Sequence, residues 1–313
     1  MRTPSRVELE RAARAAMPRE PLERMRWREE GWTNRVLVAN DRWVFRFPRA
    51  GRHGAALERE ARVLRFLAPR LSAPVPLPRA LGTRARHWPM MVYRKLPGRP
   101  LSDLGPLPTR DRETLGRFLS RLLDELSGLS TPSLKRLDVW PNGARSWARS
   151  VHDLERRYAR SAERTTSARV HARLMDSFDA YYADLRAARF RPLATHGDLS
   201  ADHLLWSEEL ARPTGVIDWE DVCVGDPAFD LTALASLVPE AFAALCLRRK
   251  GPADRTFERR IDFYRRVVPL HGLLFAIETQ ERSAQKRYQR ALSESFEQPP
   301  TEWAERPEAS PPR

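Results

Sequence analysis

The stretch Thr195-His196-Gly197-Asp198-Leu199-Ser200-Ala201-Asp202-His203-Leu204 interrupts a long run of helical pattern, and its reading decides the fold. It sets a carboxylate, Asp198, in a loop five residues before His203, a ligand-type side chain that leads into the short apolar run Leu204-Leu205-Trp206. Fifteen residues after His203, Val216-Ile217-Asp218-Trp219 ends a second short apolar run on another carboxylate. Two small strands with adjoining ends would bring Asp198, His203 and Asp218 to one place. Phosphoryl transfer calls for such a set. One carboxylate orients the attacking hydroxyl or accepts its proton, and hard ligands hold Mg²⁺ across the nucleotide's phosphates.

Working outward, residues 111–126, 144–160 and 168–188 read as helices before this stretch, and helices resume after it to about residue 291. The front of the chain is different. A short amphipathic helix over residues 5–17 is followed by Val36-Leu37-Val38, a tight turn at Asn40-Asp41, and a returning strand Trp43-Val44-Phe45-Arg46-Phe47 that Pro48 stops. Residues 55–67 read as a helix whose buried side carries Leu57, Ala61, Leu64 and Leu67. Pro74, Pro76 and Pro78 make an extended connector, and residues 89–93 form one more apolar strand. The fold class expected is α+β. A small β-rich lobe spans residues 1–95, a Pro- and Gly-rich hinge 96–108, and a larger, mainly helical lobe 109–295; the Pro-rich tail 296–313 is expected to be disordered.

Composition removes several alternatives. The 313 residues carry 55 Lys+Arg against 41 Asp+Glu, a formal net charge of +14, with Lys only at 95, 135, 250 and 286. Two cysteines, Cys223 and Cys246, exclude a disulfide scaffold and all but exclude a cysteine zinc cluster. No apolar run is long enough for a bilayer, and the Arg- and Glu-rich front is no secretory signal, which points to a soluble, cytoplasmic setting. The charge is uneven: residues 1–100 hold 23 bases and 9 acids, while residues 198–240 hold ten acids and the single base Arg212. A basic front invites a nucleic-acid partner. The chain has no aromatic-interleaved basic motif and no helix-turn-helix signature, so that reading ranks last.

Taken together, His196-Gly197-Asp198-Leu199 with His203, then Gly215-Val216-Ile217-Asp218-Trp219 and Gly225-Asp226-Pro227-Ala228-Phe229-Asp230, resemble the aminoglycoside phosphotransferase family of small-molecule kinases. The resemblance runs forward through Glu30-Gly31-Trp32-Thr33-Asn34, Phe45-Arg46-Phe47-Pro48-Arg49, Glu58-Arg59-Glu60-Ala61 and Tyr93-Arg94-Lys95-Leu96-Pro97-Gly98, and covers roughly residues 20–292. It implies a protein-kinase-like two-lobed fold, with Mg²⁺ as cofactor and ATP or GTP as co-substrate. Position by position, it implies that Asp198 is the base and Asp218 the main Mg²⁺ ligand. His203, where most of the family has Asn, meets the metal directly or through water. His at this position is shared with the branch resembling aminoglycoside 2''-phosphotransferases and with some macrolide kinases. Gly31, Thr33 and Asn34 would cover the phosphates, and Met91 and Tyr93 would line the base pocket. The strand position where kinases carry Lys holds Arg46, to be paired with Glu60 fourteen residues on. Arg can grip phosphate with two parallel N–H bonds, though its planar fork differs in shape from an ammonium.

His196, Asp226 and Asp230 read as structural support: His196 shapes the loop, and the two aspartates cap or brace a helix starting near Pro227. Glu220, Asp221 and Glu278 are candidates to pair with amines of a small, hydroxylated, cationic substrate such as an antibiotic. The competing reading, motivated by His203 and Arg46, is a pseudokinase-like module that binds nucleotide or metabolite without transfer.

Overall fold

The computed structural model describes residues 3–28, 33–50, 54–82, 88–139, 144–187, 190–250 and 254–297. The expected Pro-rich tail beyond residue 297 and the expected phosphate loop at Gly31 lie outside them. The chain divides into two compact units, Met1–Val139 with Ser200–Val222, and Trp140–Leu199 with Cys223–Arg313.

In the first unit, α1 (Arg6–Ala16) starts at a capping box: the Ser5 hydroxyl accepts from Glu8 N–H while the Glu8 carboxylate accepts from Ser5 N–H. Five strands follow: β1 (Met25–Arg28), β2 (Asn34–Ala39), β3 (Trp43–Pro48), β4 (Pro78–Gly82) and β5 (Met90–Arg94). They form an antiparallel sheet in the order β1-β2-β3-β5-β4. The β2–β3 hairpin turns through Asn40 and Asp41, both at φ 54°, as the primed turn that matches strand twist requires. Asn40 suits it, because its side chain accepts from Glu23 and Arg24 N–H and donates to Pro21 O. Leu37, Trp43, Phe45, Phe47 and Val92 bury against Leu9 and Ala13 of α1. The helix α2 (Gly54–Leu67) packs on β4 and β5. β4 was expected as connector; Pro78 opens an edge strand, where its missing N–H costs no ladder bond.

Within the expected hinge, β6 (Arg99–Pro100) joins a second antiparallel sheet of this unit, in the order β6-β8-β9 with β8 (Leu204–Ser207) and β9 (Arg212–Val216). The unit is completed by α3 (Thr109–Ser127) and α4 (Thr131–Lys135). Gly98, at φ 91°, makes this pairing possible: a Cβ there would lie 2.5 Å from Thr214 Oγ1 and 2.6 Å from the Trp206 carbonyl oxygen.

The second unit holds α5 (Ala144–Ser161), α6 (Ala168–Ala187), α7 (Leu234–Leu237), α8 (Pro239–Arg249), α9 (Phe257–Glu278) and α10 (Arg282–Ser295), with one two-stranded ladder, β7 (Leu193–Thr195) against β10 (Cys223–Gly225). The helix expected near Pro227 is a single 3₁₀ turn, Phe229–Leu231. The core of this unit contains a fully buried cation. Arg260 donates Nε and Nη2 to Asp226 at 2.7 and 3.0 Å, and Nη1 and Nη2 to Asp254 at 2.9 Å each. Its guanidinium lies over the Phe190 ring, and Tyr264 donates its hydroxyl to Asp226. No helix among the described residues is long and apolar enough to cross a membrane.

Two outcomes follow from this packing. Gly98→Ala should lower stability by about 1–3 kcal/mol through strain at positive φ, read as a lowered thermal midpoint. Arg260→Met strands two buried carboxylates and should cost about 3–5 kcal/mol by denaturant titration, whereas Arg259→Met, which breaks an exposed pair with Asp184, should cost about 0–1 kcal/mol. Burial alone would raise the Asp254 carboxyl, but the hydrogen bonds from Arg260 and Thr256 outweigh it and hold the group below its ordinary 3.8. That part of the stability is present above pH 3.8 and is lost as pH falls through the lowered value, so the gap between wild type and Arg260→Met should narrow in acid.

Candidate active site

Sheet register in the first unit selects what Arg46 can reach. It sits on β3 between Val36 of β2 and Met91 of β5, and its side chain is buried. Its Nη1 donates to Oε1 of Glu60, a buried residue on α2, so the pair implied by the family resemblance forms. Its Nη2 donates to Asp218 Oδ1 at 2.9 Å and to Glu220 Oε2 at 3.1 Å. One guanidinium thus faces three carboxylates. Glu60 also accepts from Trp219 N–H, so helix α2 is bonded directly to the segment that follows β9.

Asp218 adopts φ 65°, the left-handed region that Asp tolerates better than most residues. It lies beyond the end of β9, and the Ile217 N–H before it donates to His203 O at 2.9 Å. That bond and the β8–β9 pairing set His203 Nε2 3.6 Å from Asp218 Oδ2. Trp219 is fully buried and donates Nε1 to Val216 O, which anchors the turn. Next along the chain, Glu220 takes a dense set of donors. Thr33 Oγ1 reaches both its carboxylate oxygens at 2.8 Å, Asn34 Nδ2 reaches Oε2 at 2.9 Å, and Arg59 Nη2 donates to its backbone carbonyl.

The electrostatics follow from this crowding. Burial pushes the Glu60 carboxyl up and Asp218 and Glu220 push it further, against the pull of Arg46. Burial also raises the Tyr93 phenol. Burial acts against the Arg46 charge, but its carboxylate neighbours outweigh burial and keep it protonated. Oxygen atoms of Glu60, Asp218 and Glu220 lie within 4.8 Å of one another, and Glu60 Oε2 is buried without a hydrogen-bond partner among the described residues. Carboxylate oxygens are the hard donors Mg²⁺ prefers, but the Arg46 guanidinium bonds all three of these groups; Asp218, the most exposed of them, has the softer His203 imidazole beside it.

The second unit carries the Asp198 loop. It leaves β7 at Thr195, whose partner across the ladder is Cys223. The buried His196 N–H and the Gly197 N–H donate to the two oxygens of Asp230 at 2.9 and 3.0 Å, and His196 Nδ1 accepts from Asp198 N–H at 3.2 Å. With Nδ1 as acceptor, neutral His196 carries its proton on Nε2. Gly197 sits at φ 85°, and the Asp198 side chain is exposed. Burial raises the Asp230 carboxyl, while Arg249 at 3.9 Å and the two backbone donors lower it. Asp226 spends its oxygens on Arg260, Tyr264 and the Ala228 N–H.

Of the residues singled out in the sequence, the first unit assembles Thr33, Asn34, Arg46, Glu60, His203, Asp218 and Glu220. Met91 and Tyr93 are buried in β5. Glu220, expected to meet a substrate amine, instead gives its carboxylate to Thr33, Asn34 and Arg46. Glu278, at the end of α9, pairs with Arg157 on an exposed face, and Asp221 is exposed. Sequence reasoning missed Arg59, Arg249 and Arg260. Arg260 had a signal, an arginine among Phe257, Ile261 and Phe263, while Arg59 and Arg249 are indistinguishable from surface arginines without coordinates.

Known proteins resemble this chain in sequence and in fold. Viomycin phosphotransferase from Streptomyces vinaceus is 27% identical over 259 residues, which is 79% of this chain and 85% of that protein. Among solved structures, the GDP and kanamycin complex of APH(2")-IIia superposes with a TM-score of 0.81 at 21% identity, covering 93% of this chain and 99% of that one. Macrolide 2'-phosphotransferase type I does so with 0.71 at 21%, covering 93% and 99%. These structures share the expected protein-kinase-like, α+β fold. The phosphotransferase enzyme family matches residues 26–264, and the chain belongs to that family.

Proposed function

We propose that this protein transfers the γ-phosphoryl group of ATP or GTP to a hydroxyl of a small, cationic antibiotic. The observation that carries the reading is the Arg46–Glu60–Asp218 cluster: a strand cation fixed by a helix carboxylate and turned toward a third carboxylate on a tight turn. Arg46, with Thr33 and Asn34, would grip the nucleotide's phosphates, together with the backbone at Gly31. Met91 and Tyr93 would border the base, within a nucleotide lobe of residues 1–95 that the segment 96–108 links to a helical lobe of 109–295. Asp218 would hold Mg²⁺, with His203 at its side. When bound, the metal supplies charge neutralisation across the phosphates.

Asp198 is proposed as the group that orients the acceptor hydroxyl and takes its proton. Asp230 accepts from the N–H groups of His196 and Gly197, the two residues before Asp198, which supports an ordered loop at this carboxylate. Support for the nucleotide comes from solved relatives described with GDP, with ADP and with ATP. Support for the acceptor comes from relatives described as acting on viomycin and macrolides or as bound to kanamycin, gentamicin and streptomycin, together with the acid-rich 198–240 segment. Asp221 remains a candidate to pair with a substrate ammonium.

A phosphoryl-transfer screen of hydroxylated antibiotics against both nucleotides tests the reading. Asp198→Asn should lower turnover by about 10²–10⁴-fold with nucleotide affinity little changed. Turnover at the wild-type rate in that variant would remove the assignment. Chelation of divalent metal should abolish transfer, and added Mg²⁺ should restore it. Nucleotide-dependent stabilisation without transfer to any acceptor would favour the binding-module reading.

A further inference from the structure

Thr33 Oγ1, Asn34 Nδ2 and Arg46 Nη2 converge on one anion, and that anion belongs to the protein. All three donate to the Glu220 carboxylate at 2.8–3.1 Å. A carboxylate ringed by a hydroxyl, an amide and a guanidinium uses the same charge and acceptor geometry as a phosphate's oxygens. Neutral donors and a cation are drawn to either. The Arg46 fork makes the arrangement possible: with Nη1 committed to Glu60, a lysine would have no rigid second prong to hold toward Glu220.

Glu220 is built to move only at its side chain. Its backbone carbonyl is held by Arg59, and the preceding Trp219 is buried and bonded at both its backbone N–H and its indole N–H. Its side chain keeps 19% of its surface exposed, which leaves solvent on one side for rotation. Charge argues the same way. Three carboxylates already share one guanidinium, so a triphosphate entering beside an unmoved Glu220 would place anion against anion.

We infer that the Glu220 carboxylate is an internal counter-anion filling the phosphate subsite formed by Thr33, Asn34 and Arg46, and that a nucleotide's phosphates bind there by displacing it. This rests on the nucleotide role proposed above for those donors. Affinity is reduced by the fraction of molecules in which the subsite is vacated, so removing the carboxylate raises it. Glu220 therefore sets the threshold for nucleotide entry.

The test is calorimetric titration of the full chain with ATP and with GTP, in chelator and then in Mg²⁺, for wild type, Glu220→Ala and Glu220→Gln. Thermal midpoints serve as the check on folding. In chelator, Glu220→Ala should bind metal-free nucleotide about tenfold tighter than wild type if the subsite is open in about one molecule in ten. Glu220→Gln, which keeps the size and one acceptor while losing the charge, should shift in the same direction by less. Binding by the variants where wild type shows none also supports the displacement. Wild-type binding with equal or weaker binding by both folded variants overturns it and leaves the nucleotide reading standing. Weakening confined to the Mg²⁺ arm would identify Glu220 as a metal ligand and likewise overturn it. Failure of all three proteins to bind either nucleotide removes the nucleotide reading and this inference together.

Discussion

The Arg46 guanidinium is the interaction on which the first unit depends. A buried cation of this kind is tolerable only when its neighbours return the solvation it loses, and here Glu60, Asp218 and Glu220 do so from two directions. The bonds fix α2 against β3 and tie both to the turn after β9, so elements separated by more than 150 residues in sequence share one charged centre. Asp218 can occupy its left-handed conformation because the segment is held at both ends, by Ile217 to His203 and by Trp219 to Glu60. Strain at such a position persists only where its surroundings over-determine it.

The second unit solves a comparable problem with different chemistry. Its loop at 196–198 is a short irregular segment whose N–H groups need acceptors, and the Asp230 carboxylate supplies two of them at once. Asp226, four residues earlier, anchors the other side of the same turn to Arg260 and Tyr264. The Gly-Asp-Pro-Ala-Phe-Asp run therefore acts as a rigid brace. One aspartate holds the loop, and the other holds the helical core through an arginine that Asp254 and the aromatic rings shield from water. Gly225 opens the run because the Trp147 ring occupies the space a Cβ would need, 2.1 Å from it.

The positive charge of the front of the chain also acquires a physical meaning. Residues 1–100 carry the whole of the net +14, yet the arginines that the site uses are few: Arg46 and Arg59. Others serve local structure, such as Arg62 with Asp138 and Arg42 with Glu20, where exposure leaves each pair little net worth. A net charge describes the surface; the site depends on which single arginine is buried among acids.

The sequence by itself determined the hairpin with its Asn40-Asp41 turn, a helix over residues 55–67, and the placement of Asp198 in a loop and of Asp218 at the end of a short strand; the pairing of Arg46 with Glu60 came from the family resemblance. The local features are set by local pattern: alternation along a strand, a turn that only certain residues adopt, or helical periodicity. The edge strand β4 was not legible, because prolines that read as connector also suit a sheet margin. The 3₁₀ turn in place of a helix at Pro227 was hidden for a similar reason, since Asp226 and Asp230 bond to partners beyond the turn. Tertiary structure alone decided the occupation of Glu220, because its donors Thr33 and Asn34 lie 187 and 186 residues away. No local rule could convert an acid that looked available to substrate into one already engaged; hydrogen-bond partners so distant in sequence are assigned by the packing of the folded chain.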